Sequence, residues 1–191
     1  MHRIRFVILA ILFGLGAVAD AAVAGEAEAW SALRAGGHVV LMRHADAPGG
    51  FGDPPGFMVE DCATQRNLSA SGREDARKIG ARLRSAGIAF ERILSSPWCR
   101  CIDTATLLAM GPVTTETTFG NVVVLRDQRD SLTTGARVVI DQWTGSGNLL
   151  VVTHGANIQA LTGIQPASGE IVVVRGGSGG GSTPVGRLML N

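Results

Sequence analysis

Two imidazoles and two guanidinium groups stand at or just past the ends of apolar runs. Arg43 and His44 close His38-Val39-Val40-Leu41-Met42-Arg43-His44, His154 and Gly155 close Leu149-Leu150-Val151-Val152-Thr153-His154-Gly155, and Arg100 follows Ser95-Ser96-Pro97-Trp98-Cys99. If the three segments converge, the two guanidinium forks match the oxygens of a phosphoryl group. A neutral imidazole between them can attack phosphorus, and the phosphohistidine so formed needs only water to complete hydrolysis. Phosphoryl transfer depends on positioning and on stabilising charge at the equatorial oxygens, which arginines and a second histidine supply without a metal. Backbone amides near Gly155, at the start of a helix, add further donors. His38 opens the first run at the end opposite His44 and reads as a structural hydrogen-bonding group.

The elements that must position these residues alternate between strand and helix. Glu26 to Ala35 has helical character and stops at Gly36-Gly37. A strand from His38 to Met42 follows, then an irregular stretch from Asp46 to Thr64 with four glycines and three prolines, placed to shape a pocket. Ser71-Gly72-Arg73-Glu74 has capping-box spacing, and Ala76, Ile79, Gly80 and Leu83 recur at helical intervals to a predicted end near Ser85. Phe90 to Ser95 reads as a short strand, Arg100 to Met110 and Ser131 to Trp143 as helices. Leu149 to Thr153 is apolar throughout, as a central parallel strand covered on both faces should be. Ala156 to Leu161 continues as a helix, and Ile171 to Val174 and Arg187 to Leu190 are predicted strands. The glycine-serine cluster Gly176 to Ser182 lacks the Gly-Lys-Ser/Thr ending of a phosphate-binding loop and reads as a flexible hairpin connection. The alternation predicts a βαβ architecture with a mostly parallel sheet, and in such sheets ligands bind beyond the carboxyl ends of the strands.

At 191 residues, 46% hydrophobic and 17% charged, the chain suits one globular domain with a real core. A net charge of +1 without a block of like charges carries no nucleic-acid footprint. The first residues read as a cleaved signal peptide over 1–24. His2, Arg3 and Arg5 precede an apolar run from Phe6 to Ala19, and Ala22-Val23-Ala24 offers small residues for cleavage. That run is shorter than the roughly 20 residues a membrane span needs. The mature domain is then 25–191, periplasmic or secreted, with no membrane span after processing. Export places Cys62, Cys99 and Cys101 where a disulfide persists. Cys62 paired with either of the other two would tie the long loop to the segment carrying Arg100, and three unpaired thiols is the competing reading. A zinc site is not indicated, because no Cys-x-x-Cys or His-x-x-x-His spacing occurs.

The motifs together resemble a known family. Leu41-Met42-Arg43-His44-Ala45 is similar to the Arg-His-Gly signature of the histidine phosphatase superfamily, with Ala45 in place of glycine. Ser95 to Arg100 with Asp103-Thr104-Ala105 resembles the segment carrying that family's second arginine, and Val152 to Gly155 the segment carrying its second histidine. Asn67-Leu68-Ser69 with Gly72 and Ala76 resembles the loop and helix after the nucleophile. The resemblance runs from about Gly37 to Val174 and implies a three-layer α/β/α sandwich of phosphoglycerate mutase-like fold. It implies His44 as nucleophile, Arg43 and Arg100 as phosphoryl ligands and His154 as the group completing the pocket. Cys62-Ala63-Thr64-Gln65-Arg66-Asn67-Leu68 is most similar to short exported bacterial members, and makes Arg66 and Asn67 candidate substrate contacts.

The resemblance departs at the proton donor. One branch of the family places an aspartate directly after the second histidine, where this chain has Gly155; another uses a glutamate some way after the second arginine, where only Glu116 is available. Glu170 is the first candidate acid, with Glu116 and Asp46 behind it. Without an acid, the chemistry suits good leaving groups such as anhydrides, acyl phosphates or phosphohistidine. The reading is an exported phosphatase acting on a small or envelope-linked phosphate, with neither metal nor cofactor. Its rivals are a non-catalytic phosphate-binding or sensory domain and a metal-dependent hydrolase using His44, His154 and a carboxylate.

Overall fold

The computed structural model describes residues 25–50, 52–177 and 182–191. The expected signal peptide at 1–24 and the middle of the glycine-serine cluster at 178–181 lie outside the described residues. Helix α1 (Glu26–Ala35) ends at Gly36, whose φ of 76° an L side chain rarely adopts. Strand β1 (His38–Arg43) leads into the long irregular loop, which closes through a 3-10 turn at Cys62–Thr64. Helix α2 (Ala70–Ser85), β2 (Phe90–Ser95), α3 (Cys99–Leu107) and a short β3 (Val113–Thr115) follow. The chain is completed by α4 (Arg129–Asp141), β4 (Asn148–Thr153), α5 (Gly155–Thr162), β5 (Ile171–Arg175) and β6 (Pro184–Leu188).

The sheet order is β3-β2-β4-β1-β5-β6. The first four strands in that order run parallel, while β5 is antiparallel to both its neighbours. Side chains alternate across the central strands, and this splits the core in two. Val40, Met42, Leu150 and Val152 pack with Ile79, Leu83, Ala105 and α1, so α1, α2 and α3 cover one face. Val39, Leu41, Leu149 and Val151 pack with Ala136, Ile140, Ile158 and Leu161, so α4 and α5 cover the other. The result is the expected α/β/α sandwich. Covered on both faces, β1 and β4 are apolar without alternation.

Local expectations shift at α2 and at the last strand, and a further strand is present. The cap of α2 is Ser69, whose Oγ accepts from Gly72 N at 2.9 Å, so the helix starts two residues before the Ser71 box. Ser69 wins because Asp46 holds it: the Ser69 amide donates to Asp46 O and its hydroxyl to Asp46 Oδ2. The last strand is Pro184–Leu188 rather than 187–190, because its register against β5 pairs Ile171 with Leu188. The edge strand β3 has three residues and no alternating pattern to announce it.

Glycine allows α2 and α3 to meet at one point. A Cβ on Gly80 would lie 2.0 Å from Leu108 O. The Gly80→Ala variant is therefore expected to lose about 1–3 kcal/mol by forcing two backbones apart, read as a lower urea midpoint; an unchanged midpoint would contradict this packing.

Candidate active site

Strands β1 and β4 pair in parallel with Arg43 opposite Thr153, so the next residue of each, His44 and His154, emerges side by side at the carboxyl edge. The ladder extends one step further, His44 N donating to Thr153 O at 2.9 Å. The two rings meet edge to face with centroids 5.5 Å apart. From the neighbouring β2, Ser96 N donates to Val152 O, and the turn at Pro97 and Trp98 starts α3, which carries Arg100 in its first turn.

Both histidines are buried. Burial pulls the His44 pKa down to about 3, assisted by the charges of Arg100, Arg43 and Arg66 and opposed only by its bond to Ala45 O. The ring is thus neutral near pH 7. Its Nδ1 lies 2.8 Å from Ala45 O, a carbonyl that can only accept, so Nδ1 carries the proton and Nε2 the lone pair. Nε2 has no hydrogen-bond partner among the described residues. His154 is also held well below its ordinary value, by burial first and then by His44 and the three arginines. Arg100 Nη2 lies 3.5 Å from its Nδ1 and can only donate, which leaves Nε2–H to donate to Ser96 Oγ at 2.9 Å.

The histidines open on a cleft of about 390 Å³ whose walls include Arg43, Arg66, Asn121, Gln159, Gln165 and the first residues of α5. Arg43 donates through Nη1 to Pro166 O at 2.9 Å, and Arg66 through Nη1 to Ala47 O at 2.8 Å. The Nε–H groups of Arg43, Arg66 and Arg100 are all buried without a partner. Buried donors are seldom left so, and three of them around two neutral imidazoles suit an anion. Gly155 keeps the wall thin: a Cβ there would lie 3.3 Å from Arg43 Cδ and 3.1 Å from Gln165 Nε2.

Of the residues expected from sequence, Arg43, His44, Arg66 and His154 line the cleft. Arg100 lies immediately behind His154, fully buried. Asn67 does not reach the cleft; its Nδ2 donates to Cys62 O and Gln65 O and folds the loop. Glu170 is likewise turned away, accepting from Arg187 Nε at 2.6 Å and Ala167 N at 2.7 Å. Glu116 caps the 3-10 turn at Thr117–Phe119, and Asp46 holds Ser69, so none of the three candidate acids faces the cleft. The carboxylate that sequence reasoning missed is Asp53. It accepts from Arg100 Nη1 and Nη2 at 2.7 and 3.1 Å, from Arg66 N at 3.1 Å and from Trp98 Nε1 at 2.9 Å. Burial acts to raise its pKa, but the bonds from Arg100 and the Arg66 amide, the Arg100 charge and the Trp98 indole prevail and hold it below the ordinary range. No sequence signal separated Asp53 from other loop carboxylates. Asn121, Gln159 and Gln165 were also missed, each an isolated amide without a motif.

The cysteines resolve into a Cys62–Cys99 disulfide, with Cys101 buried and free. Burial pushes the Cys101 thiol up to about 12, so it is no thiolate nucleophile. The bridge fastens the long loop to the first residue of α3, beside Arg100. Among the described residues no three His, Cys, Asp or Glu side chains are grouped as metal ligands.

Residues 39–121 match the histidine phosphatase superfamily, branch 1. No curated protein sequence matches the chain significantly. Solved structures share its fold. The protein histidine phosphatase SixA complexed with tungstate aligns with a TM-score of 0.56 at 18% identity, over 79% of this chain and 96% of that one. Phosphoglycerate mutase from Thermus thermophilus gives 0.55 at 15% identity, over 81% and 99%. Phosphoserine phosphatase from Entamoeba histolytica, in complex with 3-phosphoglyceric acid, gives 0.53 at 14% identity, over 72% and 89%. The matched segment runs from β1 through Arg100 to Asn121 and contains Arg43 and His44, and the solved structures share the fold in which it lies.

Two outcomes follow from the site's construction. Because His44 titrates at about 3 when folded and near 6.5 unfolded, the unfolded chain takes up a proton that the folded one refuses between those values. Stability therefore falls as pH drops from 6.5 toward 3, by up to about 1.4 kcal/mol per pH unit for each such imidazole. Urea titrations from pH 7 to 4 should show this slope, flattened in His44→Gln. Reducing the Cys62–Cys99 bridge, which spans 37 residues, is expected to cost about 2–4 kcal/mol, measured as the urea midpoint with and without reductant.

Proposed function

We propose that the chain is an exported phosphatase that hydrolyses small phosphate monoesters or anhydrides through a phosphohistidine on His44, without a metal ion. The carrying observation is a neutral His44 with Nδ1–H committed to Ala45 O and Nε2 left free, beside three guanidinium groups with unpartnered Nε–H donors. Nε2 attacks phosphorus, the P–O bond breaks and the leaving oxygen takes the electron pair. Water then attacks the phosphorus, the P–N bond breaks and its electron pair returns to Nε2, while the water proton passes to phosphate and solvent. Arg43, Arg66 and Arg100 offset charge on the equatorial oxygens. The tungstate held by the structurally similar SixA, a tetrahedral oxyanion, is in keeping with this use of the fold.

No carboxylate lines the cleft among the described residues. A poor alkoxide leaving group gains most from protonation, so the site favours anhydrides, acyl phosphates and phosphohistidine, whose leaving groups depart readily. A periplasmic or secreted location is supported by the reading of residues 1–24 as a signal peptide and by the Cys62–Cys99 bridge, a linkage that persists in oxidising compartments.

With purified mature protein and an aryl phosphate, His44→Ala should lose activity by about 10³-fold or more and His154→Ala by about 10²-fold. Chelator should leave the rate unchanged. Acid-labile phosphate should be trapped on the wild type after rapid quench and be absent from His44→Ala. Full activity in His44→Ala would sink the mechanism; intact phosphate binding with no trapped phosphoenzyme would make the domain a binding module; loss in chelator with rescue by zinc would make it a metallohydrolase.

A further inference from the structure

We infer that Asp53 is a positioning residue for phosphoryl transfer: it grips the outer edge of Arg100 so that the guanidinium's remaining edge is presented beside His154. The inference rests on the proposed function, in that Arg100 is taken to serve the phosphoryl group.

A guanidinium has two edges that can bind an oxyanion bidentately, the Nη1/Nη2 end and the Nε/Nη2 side. Asp53 takes the end, with Oδ1 2.7 Å from Nη1 and Oδ2 3.1 Å from Nη2. The side edge holds Nε, which has no partner, and the second Nη2 hydrogen, directed at His154 Nδ1 3.5 Å away. Both side chains of the pair are 0% exposed. An arginine buried this deeply without a counter-charge would be costly, and with one placed anywhere else it would turn a different edge to the histidines. The position of Asp53, more than its charge alone, decides which donors Arg100 offers.

The carboxylate is itself over-determined. Trp98 Nε1, two residues from Arg100 on the same turn, donates to Oδ2, and the Arg66 amide donates to Oδ1. Arg100 Nη1 also donates to Arg66 O at 3.2 Å, closing a ring of bonds through Asp53, Arg66 and Arg100. Asp53 thereby sets the backbone of Arg66 in the cleft wall while setting the side chain of Arg100 behind His154. The Cys62–Cys99 bridge keeps the loop and α3 in contact alongside. A carboxylate poised to leave so that substrate could take its place would strand both the indole and the guanidinium end. Its four donors hold it in place.

The test is a double-mutant cycle on the full mature chain, reading kcat and KM for an aryl phosphate and binding of inorganic phosphate by calorimetry. Asp53→Asn is expected to lower kcat/KM about 10–100-fold, the scale of an ångström's misplacement, chiefly in kcat. In the Arg100→Lys background, where no fork remains to orient, Asp53→Asn should cost less than about threefold. Equal losses in both backgrounds would make Asp53 merely structural and overturn the inference. So would full activity of Asp53→Asn, or tighter phosphate binding, which would make the carboxylate a competitor of substrate. If Asp53→Asn does not fold, Trp98→Phe decides: it removes one donor to Oδ2 and keeps the ion pair, and a several-fold fall in kcat at unchanged KM is expected, with no change overturning the inference. A wild type that neither hydrolyses the ester nor traps phosphate would instead defeat the phosphatase reading, a failure visible before any variant is made.

Discussion

The parallel register between β1 and β4 is the constraint on which the site depends. Slipped by one residue, it would separate His44 from His154 and turn every side chain of one strand to the opposite face. The hydrophobic pattern cannot prevent such a slip, because both strands are apolar on both faces. A polar group at the far end does. Asn148 is buried, its Oδ1 accepts from His38 N at 3.1 Å, and its Nδ2 donates to Leu33 O at 2.7 Å. Either slip would leave a buried amide unpaired, at a cost of about 1–3 kcal/mol. The antiparallel pairing of β1 with β5 adds a second lock, bringing Glu170 O to Arg43 N at the carboxyl edge of β1. A hydrogen bond at the amino end of the sheet thus keeps two imidazoles together at the other.

The second constraint is charge. Three arginines close enough to bear on both histidines would repel one another and resist burial. Arg66 shows this: burial, Arg100 and Arg43 lower its pKa, and Asp53 and Asp46 act against them. One fully buried carboxylate, Asp53, compensates from the side away from the cleft, so the cleft keeps an excess of positive charge toward its opening. Had the compensating carboxylate stood on the cleft wall, it would have occupied the arginines and repelled a phosphate dianion.

Much of this was legible in the sequence, for reasons that differ by element. The limits of α1 and β2 were marked by glycines and by apolar runs of definite length, and the two histidine-tipped runs announced their strands because they are short and rich in β-branched residues. Arg43 ends its strand, His44 and His154 directly follow theirs, and Arg100 stands five residues past Ser95, where local geometry fixes direction. Glu170 and Asn67 stand outside the cleft because their own partners hold them, Arg187 for Glu170 and the carbonyls of Cys62 and Gln65 for Asn67. Asp53 was invisible because its meaning comes from Arg100, 47 residues away, and it lies in a loop without period. The choice between Cys99 and Cys101 follows from helix geometry once α3 is seen, since Cys99 begins the helix on the side of the loop while Cys101 points into the core beside His154.

The environment of His44 discriminates between two electrophiles that compete for one lone pair. A proton on Nε2 would make an imidazolium among three arginines in a buried site, and both burial and those charges oppose it, which is why the ring stays neutral down to about pH 3. A phosphoryl group on the same nitrogen brings negative charge instead. The cations that oppose protonation then favour the adduct, and their buried Nε–H donors gain acceptors they otherwise lack. The low basicity of the nitrogen also makes it a ready leaving group when water attacks the phosphorus, so one electrostatic arrangement serves both halves of the proposed reaction. What it does not supply is a proton for the first leaving group, and the Nδ1–H of His44 cannot lend one, being held by Ala45 O on the side away from phosphorus. The demand therefore falls on the substrate, whose leaving group must depart as it stands.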